Sequence, residues 1–215
     1  MPDPTLEELK AGIRRFQKTI YPAQAENYQR VMSEPQRPHT LIITCADSRI
    51  HPDVLTQAAP GEIFVTRNIG NIVPAYGEML GGVSAVLEFA VSALQVRHIV
   101  ICGHLECGAM KGLVDPDSLE TMPTVKAWLQ NAQLALNKAN EVYATRQARG
   151  QDPGDLMKIL TEQNVLLQMK HVRTHPSVAD AIKHGELSIS GWVYDIAHGQ
   201  VSICEDGKRT FEPMV

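Results

Sequence analysis

The sequence predicts an α/β fold: a mainly parallel central sheet flanked by helices, with an N-terminal helical arm and a C-terminal antiparallel edge strand. Three observations support this prediction. Short apolar, β-rich runs recur along the chain, and each is typical of a strand buried on both faces. A helical pattern lies between two of these runs, and the order strand, helix, strand indicates parallel strands. The last segment alternates polar and apolar residues around a turn, as a hairpin does.

The arm comes first in the chain. Residues 5–18 and 22–34 repeat apolar and charged positions at helical spacing, and Pro35 with Pro38 then ends the second helix. We find no internal repeat and no low-complexity tract. The 215 residues therefore suit a single domain, 1–215, in which residues 1–35 form the arm.

The sheet and its helices follow the arm. Three strands are predicted, at residues 41–44, 63–66 and 98–102. Three helical segments are predicted with them, at residues 81–94, 124–149 and 155–175. Residues 186–206 alternate around His198 and Gly199, which predicts a hairpin that extends the sheet.

Composition and charge exclude several classes of function. With 20 Lys plus Arg against 24 Asp plus Glu, the net charge of −4 gives no general attraction for a nucleic acid or an anionic membrane. No apolar run reaches the roughly 18 residues that would span a bilayer, and the first residues are acid-bearing rather than signal-like. We therefore expect a cytoplasmic protein, where four cysteines indicate metal binding, catalysis or core packing rather than disulfides.

Two segments stand where a buried strand has just ended: TCADSR at residues 44–49 and CGHLECG at residues 102–108. Ligands of open α/β sheets bind at this edge. His104 and Cys107 are three residues apart, and Cys45 lies at the equivalent end of a neighbouring strand. A Cys2His set suits tetrahedral zinc with an open fourth position, which is typical of a catalytic site.

Spacing alone leaves other interpretations open. An isolated H-x-x-C pattern is a weak metal signal, and even with Cys45 the metal interpretation is no better than even. For an isolated D-x-R pattern, a turn residue and a solvated charge are the favoured interpretation of Asp47 and Arg49, but their position two and four residues after a candidate ligand weakens it. Cys102 and Cys204 lie in strands and are expected to be small buried hydrophobic residues. The remaining seven histidines have no ligand spacing, so surface or capping roles are expected for them.

The order of three motifs resembles the β-class carbonic anhydrases: C-x-D-S-R, then F-V-x-R-N, then G-H-x-x-C-G. The matching residues are Cys45, Asp47, Ser48, Arg49, Gly61, Glu62, Phe64, Arg67, Asn68, Gly103, His104, Cys107 and Gly108. The likeness covers residues 36–113, and residues 191–199 resemble the closing strands of the family. It implies a zinc enzyme that hydrates CO2 reversibly to bicarbonate and a proton by attack of a zinc-bound hydroxide.

The resemblance also implies roles for single residues. Cys45, His104 and Cys107 would bind one Zn2+ per chain. Asp47 would orient the nucleophile, and Arg49 would keep Asp47 ionised and off the metal. The Gly108 N–H would hold a developing carboxylate oxygen of the substrate.

The rest of the substrate pocket is also carried over from the resemblance. Gln36 and Phe64 match the polar and aromatic pocket positions of the plant and cyanobacterial branch. At the third pocket position that branch usually has Tyr, and this chain has Phe89. These positions would come from two subunits, so a homodimer or a higher even oligomer is expected, with the arm packed on the partner. Ile42 stands where the bicarbonate-inhibited branch places a Trp, which implies that bicarbonate is not an allosteric inhibitor here.

Two other functions fit the same motifs. One is a catalytically silent relative that binds bicarbonate or serves as a scaffold in a carbon-concentrating compartment, although the intact Asp47, Arg49 and metal donors argue against silence. The other is hydrolysis of CS2 or COS on the same fold, which no feature of the sequence excludes.

Overall fold

The computed structural model describes residues 4–79 and 81–214. These residues divide into two compact units: the first ends at Gln36 and the second begins at Arg37. Within the described part of the chain, no helix combines the length and the apolar character needed to cross a bilayer.

The N-terminal unit is helical, as the sequence predicts. It contains α1 (Pro4–Arg15) and α2 (Tyr21–Ser33), joined by a π-helical turn at Phe16–Ile20. None of the residues in these helices is buried. An apolar stripe at helical spacing is exposed instead, formed by Leu6, Leu9, Ile13, Phe16 and Ile20.

The second unit is built on a six-stranded sheet in the order β2-β1-β3-β4-β5-β6. The strands are β1 (Thr40–Cys45), β2 (Ile63–Asn68), β3 (His98–His104), β4 (Ser188–Asp195), β5 (Gln200–Cys204) and β6 (Glu212–Pro213). The first four strands in this order are parallel, and β5 and β6 are antiparallel to their neighbours. The predicted strands, hairpin and mainly parallel sheet are therefore confirmed.

One expectation about the strands is wrong. All six residues of β1 are buried, but most of β2 is only partly buried because it is the edge strand of the sheet. An apolar run of this length does not reveal whether a strand has a neighbour on both sides. The two-residue strand β6 was not predicted, because its sequence, Glu-Pro, has no strand pattern.

Helices cover the sheet in the second unit. They are α3 (Pro52–Thr56), α4 (Gly82–Glu88), α5 (Gly108–Val114), α6 (Pro123–Leu129), α7 (Gln133–Ala148), α8 (Leu156–Val172) and α9 (Pro176–Lys183). The predicted helix at 81–94 is α4 followed by a π-helical turn at Phe89–Ala93. The predicted helix at 124–149 is divided by a 3₁₀ turn at Gln130–Ala132. A helix is also expected directly after Cys107, and α5 confirms it, whereas the short helices α3 and α9 were not predicted.

The packing of α8 on the sheet depends on two glycines. A Cβ at Gly103 would lie 2.7 Å from Val165 Cγ2, and a Cβ at Gly191 would lie 2.6 Å from Met169 Sδ. Only the absence of a side chain lets the helix lie so close to β3 and β4. The close helix fixes the carboxyl end of β3, which carries His104.

Candidate metal centre

The carboxyl ends of β1 and β3 bring the predicted donors together. Cys45 is the last residue of β1, His104 is the last residue of β3, and Cys107 immediately precedes α5. Because β1 and β3 are parallel neighbours, their carboxyl ends lie at the same edge of the sheet. The donor atoms of the three residues all lie within 4.8 Å of one another, and the two sulfur atoms are 3.9 Å apart.

The His104 ring is oriented to offer one nitrogen as a ligand. Its Nδ1 donates to the backbone carbonyl of Leu105 at 2.9 Å, which leaves the lone pair on Nε2. The side chain is fully buried, and Nε2 has no hydrogen-bond partner among residues 4–79 and 81–214. A buried nitrogen without a partner is costly unless it binds something, so this geometry fits a metal ion.

The two thiols share a proton in the absence of an ion. A hydrogen bond from the Cys107 thiol lowers the pKa of Cys45 to about 4, and the same hydrogen bond, together with burial, raises the pKa of Cys107. The backbone N–H groups of Gly70 and Asp47 lower the pKa of Cys45 further. A divalent cation would take the place of the shared proton, and two sulfurs with one imidazole form a donor set suited to zinc.

Asp47 is held beside the donors by a bidentate pair with Arg49. Arg49 Nε donates to Asp47 Oδ1 at 2.9 Å and Nη2 donates to Oδ2 at 2.7 Å. These hydrogen bonds hold the pKa of Asp47 below its usual range, so the carboxylate is ionised. Its Oδ2 lies 3.9 Å from His104 Nε2, close to the donors but outside the group of three.

The last two residues of β2 hold the backbone around this site. Arg67 donates to the carbonyl of Cys45 at 3.1 Å and to the carbonyl of Asp47 at 2.6 Å. The Asn68 side chain accepts from the N–H of Ile72 at 2.8 Å and donates to its carbonyl at 2.9 Å. The Arg67 guanidinium therefore positions the turn that contains Cys45 and Asp47, and the Asn68 amide holds the loop after β2.

The predicted pocket residues lie in three different places. Gly108 is exposed at the start of α5, directly after Cys107, and a Cβ there would meet nothing within 4 Å. Phe64 pairs with Leu41, four residues before Cys45, so roughly 13 Å of strand separates it from the donors of its own chain. Phe89 is 48% exposed, and its ring centroid is 6.1 Å from that of Phe64. Gln36 is exposed and belongs to the N-terminal unit.

Sequence reasoning missed a set of buried polar side chains that hold the loop after β2. Asn164 Nδ2 donates to the Gly70 carbonyl at 3.1 Å, and Gln168 Oε1 accepts from Val73 N at 2.9 Å. His171 and His175 are buried and contact the carbonyls of Val73 and Pro74, so the expected surface or capping role is wrong for both; His175 precedes α9, but its side chain does not cap the helix. The spacing of four and three residues between Asn164, Gln168 and His171 is the sequence signal for one face of α8.

Comparison with known proteins decides the family. A profile of the carbonic anhydrase family matches residues 40–201. A carbonic anhydrase of Pseudomonas aeruginosa is 42% identical over 96% of this chain and 90% of its own length. The chain belongs to the β-class carbonic anhydrases. Carbonic anhydrase 1 of Escherichia coli O157:H7 is 39% identical over 97% of this chain and 92% of its own.

Solved structures of β-carbonic anhydrases share the whole fold. The β-carbonic anhydrase CcaA is 32% identical with a TM-score of 0.87, over 99% of this chain and 93% of that chain. The Coccomyxa enzyme in complex with acetazolamide is 29% identical with a TM-score of 0.77, over 100% of this chain and 89% of that chain. The protein is therefore a zinc-dependent carbonic anhydrase that catalyses the reversible hydration of CO2.

The two other cysteines have a packing role, as expected. Cys102 is buried between Ile42 and Val100, and burial raises the pKa of its thiol to about 11. Cys204 is buried at the end of β5, and burial raises its pKa as well. Neither belongs to the group of metal donors found among the described residues.

Proposed function

We propose that Cys45, His104 and Cys107 hold the catalytic zinc of this carbonic anhydrase. The observation that carries the proposal is the buried, unpartnered Nε2 of His104 beside two sulfurs that are 3.9 Å apart. Three protein donors leave a fourth position for water or substrate. Zinc in such a site supplies a Lewis acid that makes a water molecule nucleophilic near neutral pH.

Asp47 then orients the attacking water. Its ionised carboxylate accepts a hydrogen bond from that water, so that a lone pair of the water oxygen points at the carbon of CO2. Arg49 occupies both carboxylate oxygens from one side, which keeps Asp47 charged and holds it away from the donors. The sequence C-x-D-x-R thus supplies a donor, an orienting base and the cation that fixes it.

Gly108 binds the product as it forms. The first N–H groups of a helix have no acceptor within the helix, and the Gly108 N–H is the first of α5. It lies directly after Cys107 and can hold the carboxylate oxygen that develops as bicarbonate forms. The absent side chain leaves the space for a small substrate open.

A second copy of the chain completes the pocket in this proposal. Gln36, Phe64 and Phe89 would line the site of the partner, with the Gln36 amide binding an oxygen and the two rings forming an apolar wall for CO2. The distance of Phe64 from its own donors and the exposure of Phe89 support this arrangement. The exposed apolar stripe of α1 and the following π-helical turn provides a face with which the arm can pack on the partner. A homodimer is then the smallest active unit, and higher even oligomers built from this dimer would contain the same pocket.

Mixed dimers test where the pocket residues act. One variant, Cys107→Ala, lacks a metal donor, and the other, Phe64→Ala with Phe89→Ala, lacks the apolar wall. If the site uses two chains, co-refolding the inactive variants in equal amounts restores roughly one quarter of wild-type activity, because half of random dimers contain one intact site. If the mixture stays as inactive as its components, the pocket belongs to a single chain or to neither.

Stopped-flow hydration of CO2, measured beside sulfide release from CS2, tests the substrate. We expect CO2 hydration to dominate, because the site pairs an orienting carboxylate with an open position. Sulfide release in the absence of CO2 hydration would show that CS2 is the substrate.

The plant and cyanobacterial branch is supported by Gln36 and Phe64. A cytoplasmic location is supported by four free cysteines, which are typical of a reducing environment.

A further inference from the structure

A groove lies between α7, α8 and the turn that follows β5, away from the metal centre. Its volume is about 570 Å³, and it is open to solvent rather than closed. Along α8 its lining residues run from Gln163 to Arg173, the residue after the helix, which is roughly 15 Å at 1.5 Å per residue. None of the described residues that line it is a metal donor or a predicted pocket residue.

The floor of this groove is apolar. Leu134 of α7 is 63% exposed, and Leu166 and Leu167 of α8 are only partly buried. Beneath them Ala135 and Met169 are buried. Single exposed leucines are common on protein surfaces, but several in one concave surface are typical of a place where another molecule binds.

The rim of the groove has positive charge that the chain does not neutralise. The side chains of Lys170 and Arg209 have no ion-pair partner among the residues that the structure describes. Because the whole chain has a net charge of −4, unpaired positive charge at this place is a local feature, and it favours an acidic partner. Three further cations line the groove and are paired with carboxylates of the same chain: Lys138, Arg173 and Lys208.

Hydrogen bonds hold the wall of the groove in place. Arg173 Nη2 donates to Asp206 Oδ1 at 2.5 Å, and the Ile189 N–H donates to Asp206 Oδ2 at 3.3 Å. The Lys208 N–H donates to the Glu205 carbonyl at 3.0 Å and closes the turn. The turn is thus tied to the end of α8 and the start of β4, so a partner meets a groove that is already formed.

We propose that this groove docks an amphipathic helix of another protein, with one apolar face and acidic residues along the edges of that face. None of the described lining residues belongs to a strand, so the partner cannot bind by adding a strand to the sheet. The apolar face of a helix would cover the leucines of the floor, and carboxylates beside it would reach Lys170 and Arg209. A nucleic acid would pair with the cations but leave the leucines in water. The proposal does not depend on how the zinc is bound.

Fluorescence anisotropy with a labelled synthetic peptide tests the proposal. The probe is a helix of Leu, Glu and Ala, about four turns long, whose leucines share one face. One control peptide has the same composition with the leucines distributed around the helix, and a second has Lys in place of Glu. Light scattering and CO2 hydration of each protein variant verify its oligomeric mass and its fold.

Three variants of the protein separate charge from apolar contact. Lys170→Glu with Arg209→Glu reverses both unpaired charges of the rim, and Leu134→Gln removes an exposed leucine of the floor. The matched control is Arg149→Glu with Lys158→Glu, which makes the same change of net charge at exposed positions outside the groove, one of them on α8. All five positions are exposed or at the surface of a helix or turn, so the variants should fold.

We expect wild type and the charge control to bind the probe with the same Kd, and Lys170→Glu with Arg209→Glu to bind it at least ~10-fold more weakly. Leu134→Gln should also bind it more weakly, and both control peptides should bind wild type at least ~10-fold more weakly than the probe does. No saturable binding, or equal affinity of the rim variant and the charge control, would overturn the proposal.

Two further results would assign the groove to a different occupant and contradict the proposal. Displacement of the probe by an equimolar amount of laurate would indicate a site for a small organic anion. A lower oligomeric mass of Lys170→Glu with Arg209→Glu, but not of the charge control, would indicate an interface between copies of this chain.

Discussion

At the scale of single residues, the geometry of Arg49 decides what Asp47 can do. A guanidinium presents two parallel N–H groups, and both carboxylate oxygens of Asp47 receive one. Arg67 has its own acceptors in the backbone carbonyls of Cys45 and Asp47, so it cannot replace Arg49 without releasing the turn. The carboxylate is thus charged and fixed beside the donors without belonging to them.

Asp47→Asn should lower the rate of CO2 hydration by about 100-fold and leave zinc content unchanged, because the amide lacks the basic oxygen that orients the nucleophile. Stopped-flow kinetics and elemental analysis measure the two quantities. Asp53→Asn in α3 is the control, since it removes an exposed carboxylate of the same region. A fully active Asp47→Asn protein would show that the pair is only a structural turn.

Arg49→Ala should shift the pH dependence of the enzyme. Arg49 lowers the pKa of Asp47, so Asp47 loses its charge only when the pH falls through that lowered value. Without Arg49 the pKa rises toward the ordinary value near ~3.9, and the loss of activity on the acid side moves to higher pH. An identical acid limb in wild type and variant would separate Asp47 from the titration of activity.

Ile42 predicts hyperbolic rather than sigmoidal kinetics with bicarbonate. Its side chain is buried against Val100 and carries no N–H, so it cannot form the second bicarbonate pocket that the Trp of the regulated branch provides. A ligand shifts an equilibrium only by its differential affinity for two states, and bicarbonate then has no site to prefer. Initial rates of dehydration across bicarbonate concentration measure this, and a Hill coefficient well above one would contradict it.

At the scale of elements, α8 packs on the sheet and also holds a loop. Its apolar face packs against Gly103 and Gly191 of the sheet, and its polar side chains hold the loop after β2. The amides and the imidazole of this face are buried because the backbone groups of the irregular loop after β2 need hydrogen-bond partners.

Gly191→Ala should lower the free energy of unfolding by roughly 1–3 kcal/mol, because the new Cβ would overlap Met169 and Val165. Urea unfolding followed by circular dichroism measures the change. Gly82→Ala at the start of α4 meets nothing within 4 Å and should be neutral or slightly stabilising. Equal stabilities of the two variants would mean that the contact between helix and sheet is looser than described.

The sequence predicts elements where a local pattern is sufficient and fails where tertiary neighbours decide. Alternation and apolar runs identify β1, β3 and the hairpin, and the resemblance to the carbonic anhydrases, rather than spacing alone, indicates the donors. The exposure of β2 depends on its place in the strand order, which no local pattern contains. Trp128 and Asn164 donate hydrogen bonds to a loop that lies 59 and 94 residues away in the chain, so composition and spacing cannot reveal these contacts.

At the scale of the whole molecule, exposed apolar surface indicates association. The stripe on α1 and the partly exposed rings of Phe64 and Phe89 are costly in water, and a monomer rarely leaves such groups uncovered together. Leu9→Asp should weaken the oligomer at least ~10-fold in its dissociation constant, a change of about 1.4 kcal/mol. Light scattering on dilution measures the mass, with Glu8→Gln as the control on the same helix. An unchanged mass would place the interface elsewhere.

Zinc content and the rate of CO2 hydration, measured in two cysteine variants, test whether the proposed residues hold the metal. Cys107→Ala removes a proposed donor, whereas Cys102→Ala removes a buried thiol of β3 that lies outside the donor group. We expect one zinc per chain and near-normal CO2 hydration in wild type and Cys102→Ala, and loss of both in Cys107→Ala. A Cys107→Ala protein that retained a full equivalent of zinc and its activity would show that Cys107 is not a donor of the catalytic metal.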